Sequence, residues 1–306
     1  MGLLFDGTDL RASFVPGDPA ADTVVLTFSG RDMREVPGWM HAFGAGFLRR
    51  AGLPAIHLTA SWNHWFIVDE MRRALPGLCA AAAPFRHRVA YGQSLGAYAA
   101  LRHSAALGVT RVVAISPRFS MLPEKVPFDT RSRPELPRLD PAGDDLPGGL
   151  SRDATLLVVA ETVGMDARHL ALIRAACGGR ARVLALPFGG HPATLHLRQI
   201  GLLGRIVRAL LTEAEPDLAA IRRAVRGARG GSAIWWTELA RQAWRSGRHD
   251  LAAEGALRAA TLDPAQHGFA ARLVGKLARR GLARRTLPAL VARLAALGDA
   301  AATPQA

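Results

Sequence analysis

Short apolar runs alternate with helical patterns over the first 212 residues. The runs at 23–29 (TVVLTFS), 55–59 (AIHLT), 87–91 (HRVAY), 111–116 (RVVAIS), 155–161 (TLLVVAE) and 182–187 (RVLALP) read as strands. They are rich in Val, Leu and Ile and do not alternate apolar with polar positions, which is how strands covered on both faces read. A weaker run at 10–15 reads as an edge strand. Helical periodicity covers 36–50, 67–82, 95–107, 166–177 and 192–212. Strand, crossover helix, strand predicts an α/β fold with a mostly parallel sheet covered by helices. Residues 117–153 break the rhythm with Pro117, Pro123, Pro127, Pro134, Pro137, Pro141 and Pro147, and are expected to form a functional lid or a disordered excursion.

After about Leu211 the strand signals stop. Residues 216–228 read as one helix, Gly230 and Gly231 mark a break, and helix–turn–helix patterns follow. Gly247 and Gly281 stand 34 residues apart, the period of tetratricopeptide repeats. Placing Gly247 at an inter-helix turn puts Trp236, Leu239 and Ala240 on a first helix, Ala252 and Ala259 on a second, and Pro264 at its end. A second copy keeps Leu273 and Gly281 but carries Thr286 in place of a small residue and Pro288 inside its second helix. The expected organisation is an α/β domain at 1–212, with 117–153 as its lid or insert, followed by a small all-α helical-hairpin region at 213–306. Two repeat copies are fewer than the three needed to stand alone, so these helices are expected to pack on the α/β domain or on a protein partner.

Composition narrows the class. Of 306 residues, 49% are hydrophobic and 21% charged, ordinary globular usage that excludes a disordered chain. No run of eighteen apolar residues offers a membrane span, and the N-terminal stretch, with Asp6 and Asp9, does not read as a secretory leader. Two cysteines, Cys79 and Cys177, read as free buried thiols of a cytoplasmic protein. The net charge is +14, but only Lys125 and Lys276 are lysines and the other basic residues are arginines. With abundant alanine, that pattern matches the codon bias of a GC-rich genome. No aromatic–basic RNA motif, basic-region helix or zinc-ligand spacing accompanies the charge, so neither a nucleic-acid partner nor a metal is expected.

The chemistry concentrates at Tyr91-Gly92-Gln93-Ser94-Leu95-Gly96-Ala97-Tyr98, a G-x-S-x-G between a predicted strand and a predicted helix. A sharp turn there would hold Ser94 in a strained conformation. Side chains at 92 and 96 would collide with the neighbouring strand and helix, and the helix N-terminus would favour developing negative charge on the substrate. A serine nucleophile needs a base and an orienting acid. Asp166 follows the run 155–161 and is the favoured acid, with Glu161 as the alternative. His191, after two glycines that follow the last strand, is the favoured base over His196. His169 lies three residues after Asp166 on one helical face, with an open role. Leu95 N–H and the backbone of Gly30 and Arg31 are the candidate oxyanion donors. The loop Ser61-Trp62-Asn63-His64-Trp65 gives two equal readings: Trp62, Asn63 and Trp65 line a substrate wall suited to sugars or acyl groups, or the tryptophans anchor the next helix.

At these residues the sequence resembles the α/β-hydrolase family, over about residues 20–212. The likeness rests on G-Q-S-L-G, on the elements around it, and on Ser94, Asp166 and His191 appearing in the family's order. YGQSLGAYAAL followed by RVVAISPRFS also looks like a bacterial α/β-hydrolase-like group that carries a C-terminal repeat region. The resemblance implies a serine hydrolase without cofactor, cleaving an ester or thioester through a Ser-His-Asp triad and an acyl-enzyme, on a small-molecule or saccharide acyl ester. The alternative is a non-catalytic or acyl-transferring binding protein whose helical repeats dock a protein partner.

Overall fold

Eight strands form one sheet in the order β1-β2-β4-β3-β5-β6-β7-β8. They span β1 Gly2–Asp6, β2 Leu10–Val15, β3 Thr23–Phe28, β4 Ala55–Ala60, β5 His87–Gln93, β6 Arg111–Ile115, β7 Thr155–Ala160 and β8 Arg182–Ala185. This computed structural model describes residues 2–31, 38–131, 134–282 and 287–302. β3 to β8 pair in parallel, and β1 and β2 add an antiparallel flank. All six strands predicted for the parallel sheet are present. Their unbroken apolar character has the expected cause, since every residue of β3 is buried and β6 and β7 are buried along most of their length.

The run at 10–15 is a strand but not the sheet's edge. β1, which the hydrophobic pattern did not reveal, lies outside it as a largely exposed ribbon. The β1–β2 turn hangs on one buried carboxylate: Glu70 accepts the backbone N–H groups of Thr8, Asp9 and Leu10 at 2.9, 2.9 and 2.7 Å. Glu70 belongs to α2 Asp69–Ala82, whose Met71, Ala74, Leu78 and Ala82 face the core at helical spacing.

Three predicted helices differ in extent. Residues 36 and 37 of the expected helix 36–50 lie outside the described residues. Gly38 and Gly44, at φ 126° and 70°, keep the next stretch from winding, and only α1 Ala45–Arg50 is helical. The helix expected at 95–107 closes early, as α3 Leu95–Arg102, and turns lead to Gly108 at φ 55°. The helix expected at 192–212 is two, α6 Ala193–Gln199 and α7 Leu203–Thr212, because Gly201 at φ 72° turns the chain between them.

The described residues of 117–153 are packed rather than a disordered excursion. They contain two short 3-10 turns and one helical turn that the structure assigns at Leu146–Gly149 (the last labelled α4), and they place Met121, Leu122, Leu139, Leu146 and Leu150 in the main core. Asp144, 1% exposed, is the anchor: it accepts from the hydroxyls of Tyr98, at 2.7 Å, and Ser120, and pairs with Lys125. Tyr98 lies on α3, so the insert is bolted to the helix that follows Ser94.

The remaining helices are α5 Met165–Ala176, α8 Leu218–Ala228, α9 Ala233–Arg245, α10 His249–Leu262, α11 His267–Arg279 and α12 Leu287–Ala302. The chain divides into two compact units, one of residues 1–186 and 204–218, the other of 187–203 and 219–306. This differs from a single cut at 212, because residues 187–203 belong with the C-terminal helices. In the second unit Ala240, Ala243, Ala252, Ala253, Ala256 and Ala270 form much of the core, and their small side chains let the helices approach closely. Gly247 and Gly281, at φ 71° and 62°, turn α9 into α10 and end α11. Among the described residues no helix is long and apolar enough to cross a membrane.

Tyr98→Phe leaves Asp144 short of one donor and should lower stability by about 1.5–3 kcal/mol, read as a drop in melting temperature of several degrees. His103 is buried, hydrogen-bonds the Phe66 carbonyl through Nε2 at 2.8 Å, and is pushed by burial, then by Arg102, from 6.5 down to about 4. A folded-state value below the unfolded one gives stability that is complete above 6.5 and is lost as pH falls towards 4. The melting temperature should fall across that window, and His103→Gln, which cannot titrate, should flatten the slope.

Candidate active site

The strand order reverses around β3: β4 lies on one side of it and β5 on the other. The crevice outside the C-terminal ends of β3 and β5 is where an open α/β sheet can receive a ligand. The segments leaving those two strands are Ser29-Gly30-Arg31 and Gln93-Ser94.

Ser94 sits between β5 and α3 at φ 54°, ψ −114°, a region that non-glycine residues seldom occupy. Its conformation is enforced from both sides. Ser94 N–H donates to the Ile115 carbonyl at 2.9 Å, and the Ser94 carbonyl receives Tyr98 N–H at 3.0 Å. A Cβ on Gly92 would stand 2.1 Å from the Gly96 oxygen, and one on Gly96 would stand 2.5 Å from the Phe28 oxygen. Neither position has room for a side chain. The second clash also shows that the start of α3 lies directly against the end of β3. Leu95, as the first residue of α3, presents one of the N–H groups that helical hydrogen bonding leaves over.

Gly30 has open space where a side chain would be, with no heavy atom within 4 Å of that position. The Arg31 side chain is not a free surface group: its Nε donates to Glu135 Oε1 at 2.6 Å, with both side chains mostly buried. Asp166 is buried in the first turn of α5, behind β7, with Arg131 Nη2 at 3.7 Å from its Oδ1. Glu161, the alternative acid, is also buried, at the end of β7.

His169 has a clear set of partners. It is fully buried; Phe119 N–H donates to its Nδ1 at 3.1 Å, so the proton sits on Nε2, which meets Asp129 Oδ2 at 2.9 Å. Burial lowers its pKa and keeps the ring neutral, although Asp129 pulls the other way. Asp129 also receives a two-pronged contact from Arg131, at 2.9 and 2.8 Å, and has Arg118 Nε at 3.6 Å. Burial would raise the Asp129 carboxyl, but its hydrogen bonds and neighbouring cations outweigh this and hold it far below the usual carboxylate range. Burial likewise brings Arg118 down to about 10, and its guanidinium lies 5.5 Å from the Trp65 ring centre. Arg118, Asp129, Arg131 and Glu135 all come from the insert. No spacing in the sequence marked them, because Asp129 and Arg131 acquire His169 and Asp166 as neighbours, and Glu135 acquires Arg31, only on folding.

The tryptophan loop is tied into the first unit. Trp65 is 1% exposed, packed edge-on against Tyr98 at 5.3 Å, and followed by Phe66 with both residues at positive φ. His64 supports this strained turn, accepting Phe66 N–H at 3.0 Å and bonding the Asp9 carbonyl at 2.8 Å. Trp62 is half-buried, donates to Asp9 Oδ1 at 2.9 Å, and has Arg138 stacked 4.0 Å above its ring. Asn63 is half-buried beside it.

His191 belongs to the second unit, whereas Ser94, Leu95, Gly30, Arg31 and Asp166 belong to the first. It stands in the loop before α6, after Gly190 at φ 69°, and is neither fully buried nor fully exposed. His196, its competitor, is 1% exposed within α6 and pushed by burial down to about 4. Among the described residues no cluster of three His, Cys, Asp or Glu side chains forms a metal site, and Cys79 and Cys177 are free thiols.

No family model and no curated protein matches the sequence. Solved structures do. The capsule O-acetyltransferase of Neisseria meningitidis serogroup A superposes with a TM-score of 0.51 at 12% identity, covering 68% of this chain and 94% of its own. An α/β serine hydrolase without lid from Xanthomonas campestris gives 0.42 at 18% identity, covering 67% and 91%. Est1E of Butyrivibrio proteoclasticus, with ferulic acid bound, gives 0.45 at 12%, covering 68% and 98%. At these identities the likeness is one of architecture: a mostly parallel eight-stranded sheet packed with helices, extended by a helical C-terminal region, is an α/β-hydrolase-like fold.

Proposed function

We propose that this protein is a serine-dependent acyl enzyme that hydrolyses an ester or thioester of a small molecule or saccharide. The observation that carries the reading is Ser94 at φ 54°, ψ −114°, held between two glycines that leave no room for a Cβ. Strain of that kind costs about 1–3 kcal/mol and persists where a function uses it.

In this reading Ser94 Oγ attacks the substrate carbonyl and His191 takes its proton. Asp166 fixes the imidazole orientation and stabilises the imidazolium that forms. The N–H groups of Leu95 and Arg31 receive the developing oxyanion, with Gly30 leaving space for the substrate. The tetrahedral intermediate collapses to an acyl-enzyme as His191 returns the proton to the leaving group. Water, activated by the same histidine, then releases the acid. Arg131, held by Asp129, brings its positive charge to 3.7 Å from Asp166, and Asp129 links the insert to α5 through His169. A second reading replaces water by an acceptor alcohol, so that the acyl group is transferred. The likeness in fold to a capsule O-acetyltransferase favours it, and the first half of the reaction is the same.

The test is covalent labelling with a fluorophosphonate. Folded wild type should label once per chain, and Ser94→Ala and His191→Ala should not. Ester or thioester turnover should fall by about 10³-fold or more in either variant. Asp166→Asn should keep the fold and also lose most of its activity. Absence of labelling on folded wild type would overturn the proposal. Transfer is separated from hydrolysis by supplying saccharide acceptors and weighing the products by mass spectrometry. Gly96→Ala forces a Cβ against the Phe28 carbonyl, so it should lose both labelling and much of the native circular dichroism.

A further inference from the structure

We propose that the first turn of α9 is the positioning device for His191, so that the C-terminal helical unit sets where the base stands. The inference rests on the reading of His191 as the base, and deepens it by naming Ile234, Trp235 and Ser232 as positioning residues.

The loop is tied to α9 on both sides of His191. Upstream, Phe188 at φ 61° lays its ring edge-on against Trp235, with centres 6.0 Å apart. Gly190 follows at φ 69°, and a Cβ there would stand 2.7 Å from Ile234 Cγ2 and 3.7 Å from Glu238 Cγ. Downstream, Gln199 at the end of α6 reaches back to the same turn: its Oε1 accepts from Ser232 Oγ at 2.8 Å and from Ile234 N–H at 3.1 Å. Ser232 is itself the α9 cap, accepting Trp235 N–H at 3.2 Å. One helical turn therefore receives an aromatic ring, a close backbone approach and a side-chain amide from the segment that bears His191. All of these contacts lie within one compact unit.

The physical need is plain. A short loop containing Gly189 and Gly190 has many backbone states in isolation, and a general base must stand within a fraction of an ångström of its working position. A misplacement of about 1 Å costs about 100-fold in rate. Neighbouring side chains support the turn, with Trp236 packed edge-on against Trp235 at 4.8 Å and Arg229, which precedes α9, over the Trp235 ring at 4.9 Å. On this view the helical region is part of the catalytic scaffold, whether or not it also binds a partner.

Steady-state kinetics on full-length variants test the idea, after wild type and Ser94→Ala have been compared by fluorophosphonate labelling. Gly190→Ala should lower both kcat and the rate of fluorophosphonate labelling by about 100-fold with KM within about twofold. Adding Ile234→Ala makes room for the new methyl group and should recover at least about a tenth of wild-type kcat. Trp235→Ala should lose kcat, and Trp235→Phe should retain it. If Gly190→Ala fails to fold, the Trp235 pair gives the same comparison. Folded variants with wild-type kcat and labelling rate, in a background where wild type labels and turns over, would overturn the positioning role and leave the proposed chemistry standing. A wild type that neither labels nor turns over would overturn both.

Discussion

The contact on which the first unit depends is the approach of α3 to the end of β3. Gly96 lies against the Phe28 and Ser29 carbonyls with no space for a methyl group, and Gly92 lies as tightly against the Gly96 backbone. These two approaches leave the intervening residues one route, and Ser94 takes the strained dihedrals that the route demands. Neighbouring chain then keeps it there: β6 receives the Ser94 N–H through Ile115, and Tyr98, one turn along α3, holds the insert through Asp144. Strain at one residue is maintained because ordinary packing and hydrogen bonds around it would be lost by relaxing it.

The insert supplies a second layer of order, built from charge. Arg31 with Glu135, and Arg118 and Arg131 with Asp129, are ion pairs in places where an unpaired charge would cost several kcal/mol. Their value lies in specificity of place, since a guanidinium fork and a carboxylate fit only when both backbones are where they should be. His169 joins as a neutral donor to Asp129 while its other nitrogen receives a backbone N–H from the insert. The D-x-x-H pair in α5 thus divides its work: Asp166 lies in the first turn of α5, and His169, one turn on, fastens the insert to the helix.

Much of this was legible along the chain. The parallel strands announce themselves because burial on both faces excludes polar residues, and the serine turn does so because each of its glycines answers a local steric demand. The turn glycines Gly247 and Gly281 were legible for a similar reason, since a left-handed residue at a helix end favours glycine. β1 was not legible: a largely exposed edge ribbon needs no apolar pattern, its place is set by pairing with β2, and the turn between the two is held by Glu70 from α2. Nor were the ends of α1, α3 and α6, where single glycines or a helix cap override a continuing periodicity.

The tryptophan loop shows the remaining division. From sequence, Trp62 and Trp65 suit a sugar-binding wall and a structural anchor equally well. Tertiary contacts enclose Trp65 beside Tyr98 and hold Trp62 by Asp9 beneath Arg138. The sequence alone determined the alternation that makes an α/β sheet, the place of Ser94 between strand and helix, and the order in which a serine, an acid and a histidine follow one another. Only the tertiary structure decided that the insert is packed through buried ion pairs, that His169 is a donor to Asp129, and that the His191 loop rests on the first turn of α9. The reason is physical: local sterics and periodic burial are written in neighbouring residues, whereas a charge pair or a packed ring depends on a partner whose position the chain acquires only on folding.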